Sequence, residues 1–431
     1  AEAGFVLRAS GASLLFVIGE FLGVDYPRLL EGEALPALRR VVGLRGAGQS
    51  TLAWADFLAL AAEVSPAELA VREEAVTPEA LSDLLFTSGT TGQPKGVMTQ
   101  HGQNLRVVRD WSAVVGLRAG DRYLIVNPFF HSFGYKAGWL AALMRGCCIY
   151  PQPVFEVRAL LECVARERIS VLPGPPTLYQ SLLAHPQRAQ YDLSSLRVAV
   201  TGAAAIPVPM IQRMRDELGF QTIITAYGLT EVCGFATLCR PGDAAELVAS
   251  SSGRAMPGIE VCCVDGAGRR LPPGEPGEVL VRGYNLMQGY FNDPQASGES
   301  IDAEGWLHTG DIGVLDEQGY LRITDRLKDM FITGGFNVYP AEIEQCLLKY
   351  PGLAQVAVIG IPDERLGEVA MAFLLPAPGS LIEEPALLAW CREQMANYKV
   401  PRRLQVVQSL PLNAAGKVTK NVLRELAASG A

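Results

Sequence analysis

The sequence has no Cys-x-x-Cys pair, no apolar run long enough to cross a bilayer, no excess of positive charge and no low-complexity tract. Each absence removes a class of function. The nine cysteines are odd in number and include two adjacent pairs, Cys147-Cys148 and Cys262-Cys263, so neither a disulfide framework nor a zinc site is indicated. The apolar runs at residues 13–18 and 137–144 fall far short of the roughly 20 residues a membrane helix needs. The first residues, Ala1-Glu2-Ala3-Gly4-Phe5, show no basic segment followed by an apolar core, so no signal peptide is expected and a cytoplasmic location is. Net charge is −8, from 37 Lys and Arg against 45 Asp and Glu. That leaves no global basic field to hold nucleic acid or an anionic membrane, and anionic substrates need local cations. No internal repeat appears at solenoid periods.

What is present is the composition of a folded protein: 431 residues, 49% hydrophobic and 19% charged. The length exceeds one ordinary core and suits two or three structural units. Periodicity predicts a short helix and an apolar strand within residues 2–23, an amphipathic helix from His101 through Val115 and a strand at 123–126. A helix from Val157 to Glu167, strands at 171–176 and 196–202, and a helix at about 209–218 follow. Such alternation argues for an α/β class with parallel sheet flanked by helices. Gly, Pro and short alternating stretches between 252 and 291 read as a small β-rich subdomain, and 320–326 as a strand. Beyond the charged run 325–329, strands near 356–361 and 370–375 and a helix at 385–395 make a compact α+β unit.

One stretch organises the rest. An apolar strand signal, Leu84-Leu85-Phe86, runs into Thr87-Ser88-Gly89-Thr90-Thr91-Gly92 and closes on Lys95. Glycines let the backbone turn tightly and present N–H groups, hydroxyls add donors without bulk, and Lys95 adds a charge that can follow a moving anion. It is not a Walker A loop, because the spacing differs and no Ser or Thr follows Lys95. Gly202-Ala203-Ala204 follows another apolar strand, where small residues admit a ligand, although a tight strand-to-helix turn reads the same. Tyr227-Gly228-Leu229-Thr230-Glu231 puts an aromatic ring, a hydroxyl and a carboxylate on one turn, able to stack on a purine, meet a phosphate and hold Mg²⁺. On their own, His131 beside Phe133 reads as structural, Asp311 as a turn acid or helix cap, and Lys417 as a solvated loop lysine.

The complete pattern Thr87-Ser88-Gly89-Thr90-Thr91-Gly92-Gln93-Pro94-Lys95-Gly96-Val97 resembles the phosphate loop of the adenylate-forming enzymes, which comprise acyl-CoA synthetases, peptide-synthetase adenylation domains and luciferases. The further motifs follow in that family's order to about residue 420. The resemblance implies a large N-terminal AMP-binding domain over 1–327, lacking the family's first several dozen residues, and a small mobile α+β domain over 328–431 that turns about a hinge at Lys328. It also implies roles. Thr87, Ser88, Gly89, Thr90, Thr91, Gly92 and Lys95 take the β- and γ-phosphates. Gly202, Ala203 and Ala204 line the acyl and adenine pocket, Tyr227 with Gly228 meets adenine, and Asp311 and Arg326, with Ile323 nearby, take the ribose. Thr230 meets phosphate, Glu231 holds Mg²⁺ and Lys417 is the adenylation catalyst, so that Lys95, Thr230, Glu231 and Lys417 form the catalytic set. His131, Phe133, Gly134, Ala137, Gly202 and Leu229 border the acyl pocket, and Gly334 and Gly335 lie against the pantetheine arm.

The implied chemistry is attack of a carboxylate on Mg-ATP, giving an acyl-adenylate and pyrophosphate, followed by attack of a thiol that expels AMP. CoA is the expected acceptor, with a carrier protein as the open alternative. No aspartate stands near residues 131–134 to meet an α-ammonium group, so an apolar acid is expected. Residues 21–26, 127–138 and 172–179 look most like the actinobacterial acyl-CoA ligases of steroid degradation, which implies the propanoate of a bicyclic methylhexahydroindanedione as the acid. A medium- or long-chain fatty acid remains the alternative within the class, and an inactive nucleotide-binding scaffold the alternative outside it. The expected partners are the acid, ATP and CoA, without nucleic acid or a membrane span, and with a homodimer left open.

Overall fold

The apolar strand signal at 84–86 is one arm of a β-hairpin. Strands Leu81–Thr87 and Lys95–Gln100 pair antiparallel with Thr87 directly opposite Lys95, so the residues between them form the connection. The computed structural model describes residues 2–45, 51–87, 94–202, 206–326, 329–333, 336–413 and 417–429, the side chains of Glu2, Asp325, Arg326 and Asn337 excepted. Ser88, Gly89, Thr90, Thr91, Gly92, Ala203, Ala204, Lys328, Gly334 and Gly335 therefore lie outside the described residues. Backbone contacts divide the chain into two units, 1–107 with 285–299, and 108–284 with 300–431.

In the first unit, strands Leu14–Val17, Arg40–Gly43 and Leu52–Ala53 form a parallel sheet with Arg40–Gly43 in the middle. Phe16 packs edge-on against Trp54 and Phe57 beside it. The hairpin gains a third strand from Gly289–Tyr290. Asp83 on the hairpin accepts hydrogen bonds from Thr99 Oγ1 at 2.7 Å and Asn104 Nδ2 at 2.6 Å, which ties the strands to the start of helix His101–Val115. A half-buried carboxylate needs such donors.

In the second unit, parallel pairing runs from Cys148–Pro151 through Arg122–Ile125, a single bridge at Val171 and Val198–Gly202 to Thr222–Tyr227. Short antiparallel strands Thr237–Leu238 and Arg254–Ala255 extend it. Helices Val157–Glu167 and Val208–Leu218 bury Leu160, Leu161, Val164 and Met210, Ile211, Met214, Leu218, each set at helical spacing. The expected strand at 171–176 is corrected to the lone bridge at Val171. Pro173, Pro175 and Pro176 lack the N–H groups a ladder needs, and Pro176 instead opens helix Pro176–Ala184. An antiparallel sheet of Ile259–Val264, Gly277–Gly283, Leu307–Leu315 and Leu321–Arg326 follows.

The C-terminal part of this unit is built on the hairpin Leu353–Asp363 and Gly367–Pro376. Period-two alternation separates its faces. Val356, Val358, Ala370, Ala372 and Leu374 pack with Ile343, Leu347, Leu387 and Cys391 from helices Pro340–Leu347 and Glu384–Gln394. Ala357, Ile359, Met371 and Phe373 pack on the other face with Leu410 and Leu423. No helix among the described residues is long and apolar enough to cross a membrane.

Candidate active site

In the second unit the segment after strand Arg122–Ile125 folds into two tight turns. His131 is the N-cap of Ser132–Gly134, its Nδ1 accepting the Phe133 N–H at 3.1 Å. A π-turn, Tyr135–Leu140, follows, with Gly138 at non-helical angles (φ −86°, ψ −105°). Single π-turns inside helices are rare and concentrate at functional sites. This one is pinned by Tyr123, whose buried hydroxyl donates to Ala137 O at 2.6 Å. Gly134 has no alternative residue, because a Cβ there would stand 2.1 Å from Pro128 O. Phe133 and Tyr135 are half-buried, Tyr135 stacking on Trp139 at 4.6 Å, whereas Phe129 and Phe130 are exposed.

The Tyr227-Gly228-Leu229-Thr230-Glu231 turn lies against this segment. Tyr227 ends strand Thr222–Tyr227, and Thr230–Val232 is a single 3-10 turn that carries Glu231. Gly228 and Gly234 bring the loop back on itself, since a Cβ on Gly228 would meet Gly234 O at 2.1 Å. A Cβ on Gly234 would in turn meet Ser132 Cβ at 3.1 Å, next to His131. Gly202 pairs with Ala226 across the parallel ladder, and a Cβ there would come within 2.7 Å of Ala226 O. At Gly228 and Gly202 the clash is with backbone, so only glycine fits.

Asp311 is buried within strand Leu307–Leu315, so it is neither a turn acid nor a helix cap. Its Oδ2 accepts the Tyr227 hydroxyl at 2.6 Å, which joins two motifs far apart in the chain. In the ladder Asp311 is opposite Arg326, and Gly313 opposite Ile323. Lys417 stands in a loop closed by its own N–H donating to Asn413 Oδ1 at 2.9 Å and by Asn413 N–H donating to Lys417 O at 2.8 Å. Its charge acts on His131: burial first, and the Lys417 ammonium second, hold the imidazole below its ordinary value near 6.5. A neutral ring whose Nδ1 accepts a hydrogen bond carries its proton on Nε2. The structure thus brings His131, Phe133, Gly134, Ala137, Gly202, Tyr227, Gly228, Leu229, Thr230, Glu231, Asp311, Ile323 and Lys417 into one unit.

Two consequences for His131 can be measured. The unfolded ring binds a proton near pH 6.5 and the folded ring only below that, so its contribution to stability is present above 6.5 and is lost as pH falls toward the folded value. Removing the ammonium with Lys417→Ala is expected to move the His131 midpoint upward in an NMR titration, and an unchanged midpoint would show that Lys417 does not act there.

Thr87 and Lys95 belong to the first unit. Thr87 Oγ1 reaches Lys95 O at 3.5 Å, and the Lys95 ammonium stands 4.9 Å from the centre of the Tyr290 ring. A cleft of about 520 Å³, lined in part by Phe5, Arg8, Phe86 and Phe291, opens at Lys95. Among the described residues no cluster of three or more His, Cys, Asp or Glu could hold a metal by itself. The Thr230-Glu231 turn offers oxygen donors only, which suits a hard divalent cation that completes its shell with phosphate oxygens and water. Sequence reasoning passed over the fully buried Lys136 on the π-turn, and Glu278 and His308 beside Asp311. Nothing in the local pattern separates these from ordinary surface charges.

The sequence profile of AMP-binding enzymes matches residues 1–291, and that of the AMP-binding enzyme C-terminal domain matches residues 342–417. This chain is an AMP-binding enzyme. It is 49% identical over 430 residues to a 3-[(3aS,4S,7aS)-7a-methyl-1,5-dioxo-octahydro-1H-inden-4-yl]propanoyl:CoA ligase of Rhodococcus jostii, covering 98% of this chain and 81% of the relative. The protein of the same name from Mycobacterium tuberculosis is 51% identical over 425 residues, covering 99% and 82%. Among solved structures, the anthranilate CoA ligase AuaEII in complex with anthranoyl-AMP superposes with a TM-score of 0.83 at 30% identity, covering 99% of this chain and 81% of that one. The AMP-binding enzyme therefore has the fold expected of it, a large N-terminal part and a smaller C-terminal one, each of mixed helix and strand.

Proposed function

We propose that this AMP-binding enzyme is an ATP-dependent acid–CoA ligase, and that its acid is the bicyclic 7a-methyl-1,5-dioxo-octahydroindenyl propanoate named in its relatives. The observation that carries the reading is the identity of about half the residues to the two indenyl propanoyl:CoA ligases over nearly the whole chain. The site agrees with it. Segment 127–140 contains no carboxylate, so an α-ammonium group would enter it without a counter-ion.

In the first reaction the acid's carboxylate oxygen bonds to the α-phosphorus while the bond to the leaving pyrophosphate breaks. An anion must approach a polyanion, so preplaced cations and fixed geometry are the remedy. We assign Lys417 to the space between carboxylate and α-phosphate. His131, neutral with its proton on Nε2, offers one directed donor to the carboxylate without competing for that charge. Tyr227 presents its ring to adenine, and Asp311 accepts from the ribose hydroxyls, with Arg326 opposite it in the ladder. Thr230 meets phosphate, and the ends of the hairpin turn, Thr87 and Lys95, hold the distal phosphates. Glu231 is the residue that would hold Mg²⁺, which when bound supplies charge neutralisation to the phosphates.

In the second reaction the CoA sulfur bonds to the acyl carbon and AMP leaves. We place the hinge for the change between the two reactions at Lys328, with domains at 1–327 and 328–431, and assign Gly334 and Gly335 to the pantetheine path. Separating the steps in this way keeps the reactive adenylate from water.

The test is acid-dependent ATP–pyrophosphate exchange over a panel of fatty, aryl, amino and bicyclic propanoic acids, with CoA then added to the active ones. Exchange with the bicyclic acid and thioester release are expected. Exchange with linear acids alone would move the substrate to fatty acids, and no exchange with any acid would leave a nucleotide-binding scaffold.

A further inference from the structure

The backbone that presents Asp311 follows an irregular path. Strands Gly277–Gly283 and Leu307–Leu315 pair antiparallel, but the register slips between Glu278 and Leu280, so that Glu278 is opposite Ile312 while Leu280 is opposite His308. Such a slip leaves ladder groups unpaired and bends the strand, and side chains must take over. Here Glu278 does so twice. Its Oε2 lies 2.9 Å from His308 Nδ1, and its Oε1 accepts the Gly310 N–H at 3.2 Å. Thr309 fills the gap between, its hydroxyl donating to Val279 O at 2.7 Å and accepting the Asp311 N–H at 3.1 Å. The second ring nitrogen of His308 stands 3.8 Å from Asp302 Oδ2, and Gly310 takes the left-handed conformation (φ +69°) that the path requires. From 308 to 311 every residue is held by a side chain or by a conformation only glycine adopts readily.

We propose that Glu278 and His308 are positioning residues for the nucleotide ribose, acting as a clamp that sets the direction of the Asp311 carboxylate. This rests on the reading that Asp311 accepts from the ribose hydroxyls. One oxygen of Asp311 is taken by Tyr227, so its orientation toward a ligand depends on the backbone at 310 and 311. Glu278 holds that backbone directly and is itself held by His308. Without the imidazole, one carboxylate oxygen of Glu278 loses its partner and only the Gly310 N–H is left to hold the group.

The probe is ATP against 2′-deoxy-ATP in pyrophosphate exchange, with whichever acid the wild-type enzyme activates. A misplaced contact costs on the order of tenfold to a hundredfold. His308→Ala and Glu278→Gln are expected to raise KM for ATP about tenfold, leave KM for the acid unchanged, and shrink the preference for ATP over the deoxynucleotide. His308→Asn, which keeps a donor at the Nδ1 position, is expected to restore that preference. If His308→Ala lowers the melting temperature but keeps the full ribose preference, the pair is structural only and the proposal is overturned. Asp311→Asn separates the two readings: if it too keeps the preference, the ribose assignment of Asp311 fails and the clamp with it. Loss in Asp311→Asn with full retention in His308→Ala overturns the clamp alone.

Discussion

Lys417→Ala is expected to abolish acid-dependent ATP–pyrophosphate exchange while leaving the transfer of a preformed acyl-adenylate to CoA largely intact. The physical reason is the asymmetry of charge between the two reactions. Adenylation brings a carboxylate onto a phosphate and releases pyrophosphate, so a cation at the junction is worth most in that transition state. Loss of one preorganised electrostatic group in such a site costs about 10²–10³ in rate. Thioester formation starts from a neutral acyl carbon and has no such demand. Lys417 is tied to Asn413 by two hydrogen bonds, and both use the Lys417 backbone, so the substitution removes neither. Stopped-flow measurement of each half-reaction decides it. Equal loss in both would show that Lys417 supports the fold of the C-terminal part rather than adenylation.

Lys328→Pro is expected to do the reverse. Proline fixes φ near −65° and removes the backbone N–H, so a residue that must change its dihedral angles between two domain orientations is held in one. If the enzyme rests in the orientation that forms the adenylate, exchange is retained and the step with CoA falls by about 10²-fold or more. Acyl-adenylate then accumulates on the enzyme after acid and ATP are added. If Lys417→Ala and Lys328→Pro failed equally in both half-reactions, alternation between two orientations would be the wrong account of this chain.

Much of the fold was legible because the periodic signals are strong. Helices His101–Val115 and Val157–Glu167 fall at the residues where apolar spacing begins and ends. The two C-terminal strands near 356–361 and 370–375 could be placed because they are apolar on both faces, although their pairing as a hairpin could not. Residues 171–176 misled for a related reason. An apolar start at Val171-Leu172 suggests a strand, but the prolines that follow cannot donate to a ladder, and only Val171 bridges. The π-turn Tyr135–Leu140 was not legible at all, since it depends on a hydroxyl from Tyr123 reaching Ala137 O. No local pattern encodes that contact. Asp311 had the same difficulty, its surroundings reading as a turn while the pairing partners of its strand lie elsewhere in the chain.

The sequence by itself determined the chemical inventory: a stretch rich in glycines and hydroxyls that follows an apolar strand signal and ends at Lys95, an aromatic, hydroxyl and carboxylate at 227–231, Asp311 and Lys417. Each of these is a matter of residue type and short spacing, which the chain states directly. Only the tertiary structure decided how they combine. It put the Tyr227 hydroxyl on Asp311, the Lys417 charge within electrostatic reach of His131 and Glu278 under the backbone of Gly310. It also set the proton of His131 on Nε2, because the Phe133 N–H reaches Nδ1 and burial keeps the ring neutral. Contacts between residues distant in sequence follow from sheet register and packing, and protonation follows from which donor arrives at which nitrogen; neither is written in the order of the residues.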